Sequence, residues 1–243
     1  MVKVFPPLDP DLLLRAYTVG VFPMADSRDA PSVYWVEPKQ RAILPLDAFH
    51  LSRSLRKTLL SGRFQTTADV AFDQVVSLCA ESADDRPDTW INVQIERAVR
   101  TLHAQGYAHS IETWADGELV GGLYGIALGR AFFGESMVSR AADASKLALA
   151  HLVARLKVGG YTLLDCQFMT PHLASLGAVE VSRKTYVSLL DAAIASVTGA
   201  GRVAGDFLAF DRPAAGLSPS SDKMTLSGPA DALRIVQSLV QTS

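Results

Sequence analysis

Cysteine is nearly absent. Only Cys79 and Cys166 occur in 243 residues, far apart and without a Cys-x-x-Cys partner. That argues against a disulfide framework or a structural zinc ribbon and suits a reducing cytoplasm. Long apolar runs are missing too. None reaches the roughly 20 residues that a membrane-spanning helix needs. The first residues, Met1 to Pro7, lack the apolar core of a signal peptide. There is no Gly-x-x-x-x-Gly-Lys-Ser/Thr loop and no Gly-x-Gly-x-x-Gly turn, so the common nucleotide cradles are excluded. There is no Gly-x-Ser-x-Gly elbow either. The five histidines, His50, His103, His109, His151 and His172, form no His-Glu-x-x-His pair, and a metal site has no support. A strong charge of either sign is also lacking. The 23 basic and 25 acidic side chains leave a net charge of −2, so no global field announces a nucleic-acid binder.

What is present reads as a globular chain. Hydrophobic residues make up 49% and charged residues 20%, enough to bury a real core. Residues 10–20 carry Leu12, Leu13, Ala16 and Tyr17 on one helical face, with Gly20 as a stop. An irregular stretch follows, then short strands at Val33–Val36 and Ala42–Leu46 and a basic helix at Ser52–Leu60. Phe64–Thr67 is a strand, and Asp69 is placed to cap a helix reaching Cys79. A polar loop at 82–88 precedes a helix marked by Ile91, Ile95, Val99 and Leu102, with Gly106 just past its end. The period then changes to two. His109–Trp114 and Leu119–Leu128 are strands joined by Asp116-Gly117, a strong hairpin signal, and Arg130–Met137 is a third. Asp143 is placed to cap a long apolar helix over Ala144–Val158, ended by Gly159-Gly160. Tyr161–Phe168 is a strand, Pro171–Leu176 a helical turn, and Ser182 caps a helix through Val197 with Tyr186, Leu189, Leu190, Ile194 and Val197 facing the core. Ala230–Leu239 is a candidate terminal helix.

This order, with its three-strand antiparallel meander and crossover helix, predicts an α+β fold of the N-acetyltransferase-like type built on a mixed sheet. A small N-terminal domain at 1–62, a catalytic domain at 63–198 and a tail at 199–243 are expected.

Two features suggest chemistry. Lys39, Arg41, Arg53, Arg56, Lys57 and Arg63 face only Asp47 in their stretch. A solvated helix face is the commoner reading of such a run; a phosphate-binding patch is the sharper one. The second feature is a pair of polar blocks in strand-like surroundings, Gly134-Glu135-Ser136-Met137-Val138-Ser139-Arg140 and Asp165-Cys166-Gln167. Alternation puts Asp165 and Gln167 on one face of their strand. Buried carboxylates are costly unless paired or used. Asp165 could simply cap the next turn, and Glu135 could pair with Arg140 or Lys146. A coenzyme A acyltransferase would want a glycine-rich turn before the long helix. Met137 to Lys146 contains no glycine, which disfavours close approach of a pyrophosphate.

Taken in order, several blocks make a specific resemblance. They are Gly20-Val21-Phe22-Pro23-Met24, Tyr34-Trp35, Leu51-Ser52-Arg53-Ser54, Thr89-Trp90-Ile91 and His109-Ser110-Ile111-Glu112-Thr113-Trp114. They continue as Glu118 to Gly125, Phe133 to Met137 with Ser139-Arg140, Ala144-Ser145-Lys146, Asp165-Cys166-Gln167 and His172-Leu173-Ala174-Ser175-Leu176-Gly177. From about residue 11 to 190 the chain resembles the bacterial leucyl/phenylalanyl-tRNA–protein transferases.

The resemblance implies transfer of Leu, Phe or Met from its tRNA to the N-terminal amine of proteins beginning with Arg or Lys. It marks them for N-degron degradation in the cytoplasm, by a monomer that needs no cofactor or metal. It implies that Asp165 and Gln167 form a catalytic relay and that Glu135 holds the donor α-amine. Trp35, Trp90, Leu123, Phe132 and Ser139 would line the aminoacyl-adenosine pocket, Leu123 standing where Met is common. Arg53, Arg56 and Lys57 would meet the tRNA acceptor stem. A coenzyme A-dependent N-acyltransferase and a non-catalytic tRNA or N-degron binding module are the competing readings.

Overall fold

The computed structural model describes residues 7–81, 89–195, 204–212 and 229–240. The expected loop at 82–88, the last two residues of the helix expected through Val197, and most of the tail lie outside the described residues.

The chain begins with α1 (Pro10–Thr18), whose N-cap Asp9 accepts from the Asp11 amide. A two-stranded ribbon follows, β1 (Phe22–Met24) against β2 (Tyr34–Val36). β1 was not expected, because Pro23 cannot donate to a ladder; a ribbon with no further neighbours tolerates it. β3 (Gln40–Ile43) starts two residues earlier than predicted and ends before Pro45. A 3-10 turn at Leu46–Ala48 leads to α2 (Arg53–Leu60), capped by Ser52.

The second part opens with β4 (Gln65–Ala68), α3 (Phe72–Ala80) and α4 (Val93–Ala104). The meander is β5 (Ala108–Ala115), β6 (Glu118–Leu128) and β7 (Ala131–Ser139). Asp116 and Gly117 both take positive φ, 50° and 81°, as a two-residue turn of the expected kind requires. The crossover helix α5 (Ala144–Val158) returns the chain to β8 (Leu163–Gln167). Then come α6 (Pro171–Ser175), β9 (Val179–Ser182), α7 (Arg183–Ile194), a 3-10 turn at Phe207–Asp211 and α8 (Pro229–Val240). β9 was also missed; four residues on a sheet edge carry too little alternation to read.

The main sheet has seven strands in the order β4-β5-β6-β7-β8-β3-β9. Only β7 and β8 are parallel. The meander, crossover helix and parallel strand are the order expected, and the fold is a mixed α+β sheet. β3, from the segment assigned to the N-terminal part, lies between β8 and β9 in this sheet.

Helices cover both faces. Period-two alternation sorts the strand side chains. Tyr124, Ile126 and Phe133 join α1, α3, α4 and α7 in one core cluster. Ile111, Leu123, Phe132 and Leu164 join α2, α5 and α8 in the other. α5 is buried on nearly every side because the C-terminal elements cover it. Arg155, 1% exposed, donates to both Asp211 carboxylate oxygens at 2.6 Å and to the Phe207 carbonyl at 2.8 Å. That ties residues 204–212 onto α5.

Two expected caps fail. Asp69 has φ of 58°, and its carboxylate accepts from the Ser110 amide and pairs with His109 Nδ1, so it anchors β5 instead of starting α3. Asp143 has φ of 68° and bonds Lys146 Nζ at 3.0 Å. In the left-handed turn its carboxylate no longer reaches back to the free amides of α5.

Gly125 sits at a register shift in β6. A Cβ there would lie 2.3 Å from both the Phe132 ring and the Phe133 carbonyl. Gly125→Ala should therefore cost about 1–3 kcal/mol, as overpacking of a core does. Urea unfolding checks this; an unchanged midpoint would mean the two phenylalanines yield freely.

Candidate active site

The parallel pairing of β7 and β8 ends at Phe133↔Asp165. Beyond that point the two strands line a cavity of about 420 Å³. Glu135 and Met137 of β7, Cys166 and Gln167 of β8, and Leu123 of β6 contribute to its wall. Leu149 and Leu152 of α5 and His172 and Leu173 of α6 complete it. The junction between an antiparallel meander and its parallel neighbour thus opens a pocket at the strand ends, a common place for ligands in α/β sheets.

Asp165, Gln167 and Glu135 form one hydrogen-bonded chain. Asp165 is 0% exposed. Its Oδ1 accepts from Arg41 Nε at 2.9 Å and from the Gln167 amide at 2.8 Å. Its Oδ2 accepts from Arg41 Nη2 at 2.6 Å and the Tyr186 hydroxyl at 2.7 Å. Gln167 sits at φ of 63° and donates from Nε2 to Glu135 Oε1 at 2.9 Å. The Tyr17 hydroxyl donates to the same oxygen at 2.8 Å.

Glu135 Oε2 is buried and has no hydrogen-bond partner. Burial raises the Glu135 pKa to about 8. The Tyr17 hydrogen bond opposes the rise, the Asp165 charge adds to it, and Arg41 and Gln167 oppose it. The salt bridge expected from Glu135 to Arg140 or Lys146 is not formed. Arg140 pairs with Glu81, and Lys146 pairs with Asp143.

The remaining predicted residues scatter. Leu123 lines the cavity. Phe132 is fully buried behind it, stacked on Phe207 at 5.9 Å. Trp90 is half-buried against the first core cluster, and its carbonyl accepts from the Ala25 amide. Trp35 stands 40% exposed on the β1–β2 ribbon. The Ser139 hydroxyl donates to the Ala141 carbonyl and accepts from the Ser145 amide at the start of α5. Arg53, Arg56 and Lys57 lie exposed along α2, with no ion pair to a carboxylate among the described residues.

Arg41 requires a correction. It was grouped with the surface cations, yet it is 1% exposed and bridges Asp165 to the Gly20 carbonyl. Its place beside the apolar run Ala42-Ile43-Leu44 was the available signal. Tyr17 and Tyr186 were read as core residues; each is core in its ring and polar at its hydroxyl. His172 appeared only within a matched block. Its Nε2 is buried and without a partner.

Comparison with known proteins shows the family to which the chain belongs. The model of the leucyl/phenylalanyl-tRNA protein transferase family matches residues 43–191, and that of its N-terminal domain matches residues 7–39. The chain belongs to the leucyl/phenylalanyl-tRNA protein transferase family. A leucyl/phenylalanyl-tRNA–protein transferase of Rhizorhabdus wittichii is 59% identical over 249 residues, covering 97% of this chain and 99% of that one. The one from Zymomonas mobilis is 62% identical over 189 residues, covering 78% and 70%. Among solved structures, L-PGS from Bacillus licheniformis covers 70% of this chain and 56% of its own at 14% identity. Its TM-score of 0.37 is too low to carry an argument.

Two measurements bear on this network. Arg41→Met leaves Asp165 charged and buried without its cation, and should destabilise the fold by about 3–5 kcal/mol. A loss in urea unfolding below about 1 kcal/mol would mean that water or a rearranged donor replaces the guanidinium. For Glu135, both folded and unfolded chains hold the proton at low pH. As pH rises from the ordinary 4.5 towards about 8, the unfolded chain releases it first, so the parent loses stability across that window. Glu135→Gln lacks the proton, so its stability relative to the parent should be greater at pH 9 than at pH 4. Equal differences at the two pH values would refute the raised pKa.

Proposed function

We propose that this chain moves Leu or Phe from its tRNA to the N-terminal amine of proteins beginning with Arg or Lys. Family membership establishes the reaction class, aminoacyl transfer from tRNA. The acceptor rule, the N-degron outcome, the cytoplasmic setting, the monomeric state and the residue roles below are our reading.

The observation that carries it is the pairing of an apolar cavity with the unpartnered Glu135 Oε2. A Leu or Phe side chain suits a wall of Leu123, Met137, Leu149, Leu152 and Leu173. The donor α-ammonium suits the open carboxylate oxygen, and would lower the Glu135 pKa by adding a nearby positive charge. Gln167 then orients Glu135. Asp165 holds Gln167 in place by accepting from its amide. With its oxygens engaged by Arg41, Tyr186 and that amide, Asp165 serves as an anchor. Trp35 offers an exposed ring on which a terminal base could stack. The exposed cations of α2 supply phosphate contacts.

The ester is already activated, so transfer needs no further energy source. The chemistry is attack by a neutral amine on an ester carbonyl. An α-amine with an ordinary pKa of about 8 is partly neutral near pH 7. What the protein adds is orientation and charge placement.

The coenzyme A reading is disfavoured by the start of α5. The Ala144 amide there already donates to the Ala141 carbonyl and the Ser145 amide to the Ser139 hydroxyl, where a pyrophosphate would need bare amides.

The reading is tested by offering labelled Leu-tRNA and two peptides that differ only in an N-terminal Arg or Ala. Transfer to the Arg peptide alone is expected. Equal transfer to both would overturn the acceptor rule, and transfer to neither would overturn the reaction. Arg53→Ala combined with Arg56→Ala should weaken tRNA binding at all donor identities. It should also lower the slope of log affinity against log salt by about 0.7–0.9 for each lost contact. An unchanged slope would remove α2 from the interface.

A further inference from the structure

The transfer reaction has a proton to move, and the residues with the clearest sequence signal are poorly placed to take it. Asp165 is saturated by donors and does not line the cavity. Gln167 is an amide and cannot accept a proton at neutral pH. Of the titratable groups that line the cavity, Tyr124 and Cys166 hold their protons at neutral pH, and burial pushes the Cys166 thiol further up. Glu135 already accepts from Tyr17 and Gln167 and, on the reading above, is committed to the donor ammonium. That leaves His172.

His172 sits in the first turn of α6 and lines the cavity, and its Nε2 is buried and has no hydrogen-bond partner among the described residues. The turn is rigidly set. The Thr170 hydroxyl accepts from the Leu173 amide at 3.1 Å, and the Ser175 hydroxyl donates to the His172 carbonyl at 2.7 Å. Leu173 is buried beneath it. The turn is closed by Gly177 at φ of 99°, where a Cβ would meet the Ala48 carbonyl at 2.3 Å. The His50 amide donates to the Leu176 carbonyl at 2.9 Å and fastens the segment to the body of the protein. A histidine whose backbone is fixed by its surroundings, in the wall of a pocket and with an unpartnered ring nitrogen, is pre-positioned for a reacting group.

Resting on the transferase reading, we infer that His172 is the proton acceptor in the transfer step, taking the proton of the attacking α-amine on Nε2 and returning it to the departing ribose oxygen. The amine nitrogen attacks the ester carbonyl carbon, forming the C–N bond and moving the carbonyl pair onto oxygen. The nitrogen, now cationic, passes one proton to Nε2. Collapse of the adduct breaks the carbon–oxygen bond to the ribose, and that oxygen takes the proton back from the imidazolium. Histidine ends neutral, and atoms and charge balance.

The surroundings keep the acceptor free. Burial and the charge of Lys146 on α5 lower the His172 pKa from 6.5, so at neutral pH the imidazole is unprotonated. Tyr124 on β6, Glu135 on β7 and Cys166 on β8 are the other titratable groups of the wall with which it shares the pocket. Weak basicity is no obstacle. The ammonium in the adduct sits on a carbon bearing two oxygens and is far more acidic than a free α-amine.

The test compares the parent with His172→Gln and His172→Ala in single-turnover transfer from saturating Leu-tRNA to an Arg-initiated peptide. Donor binding is measured alongside. The parent should transfer, and both variants should transfer ~100-fold more slowly, with donor affinity within about twofold of the parent. Added imidazole should restore His172→Ala in proportion to its concentration and leave the parent unchanged. Variants within about threefold of the parent would overturn the role. So would slow variants whose loss follows donor affinity, or a slow His172→Ala that imidazole fails to rescue; either makes His172 a positioning residue. A parent that transfers to no peptide would instead overturn the transferase reading, and this role with it.

Discussion

The buried pair of Arg41 and Asp165 is the constraint on which the rest of the structure depends. Neither side chain is more than 1% exposed, and burying both charges is costly unless nearly every donor and acceptor is satisfied. Here most are. The guanidinium makes two parallel contacts to the carboxylate and gives Nη1 to the Gly20 carbonyl at 3.1 Å. It lies between the Phe22 and Tyr186 rings, 4.6 Å from each centroid, as a weakly hydrated planar cation can. Four parts of the chain therefore converge on one group: the end of α1, the β1 ribbon, β8 and α7. Gly20 follows from the same demand. Its φ of 79° and the Tyr186 ring 2.8 Å from where a Cβ would stand leave no room for a side chain.

The two acidic side chains of the network are treated in opposite ways. Asp165 is given a cation, a hydroxyl and an amide. Glu135 receives two neutral donors on one oxygen and none on the other. One is locked and the other is left hungry. An unpaired buried carboxylate oxygen costs stability, and on the proposed reading the donor ammonium relieves that cost on binding. Carboxylates pushed apart by their environments are a mark of divided roles at a site. Tyr17 makes this division depend on α1, since the hydroxyl that steadies Glu135 comes from the first helix of the chain. The N-terminal segment is thereby part of the hydrogen-bonded network and more than a covering for it.

Much of this was legible beforehand, where local rules and tertiary needs coincide. The meander was readable because alternation runs for eight or more residues and Asp116-Gly117 marks the turn. α5 was readable because its apolar run is long and flanked by Gly159-Gly160. The short strands β1 and β9 were not, since three or four residues hold too few alternations and Pro23 argues against a ladder. Asp69 and Asp143 misled for a shared reason. An aspartate before a helix signals a cap only if its backbone is extended, and both adopt left-handed turns that sequence does not reveal. Arg41 misled because a count of charges along the chain carries no depth. Asp165, Gln167 and Glu135 were found by their polarity in apolar strands, whereas Tyr17 and Tyr186 hid among core residues because a tyrosine satisfies both descriptions.

The sheet also bears on how such a fold can carry aminoacyl transfer. Where β7 and β8 part, β7 stays paired with β6 and β8 with β3, and Glu135, Ser136, Met137, Cys166, Gln167 and Phe168 line a common space. In an acyltransferase that grips a pyrophosphate, the following helix would present free amides and glycines at its start. Here Ala141, Ala142 and Asp143 occupy that turn, Ala144 packs against Gly121 where a Cβ would come within 2.6 Å, and Lys146 is drawn back to Asp143. The helix start is filled, and its one carboxylate is paired with Lys146. On the proposed reading, recognition of the donor comes from the cavity itself, from its apolar wall and the open Glu135 oxygen, and from cations held elsewhere on α2. A substrate that brings its own activated ester and its own long polyanion fits that division, because the pocket need only grip the amino acid while the remainder is held at a distance.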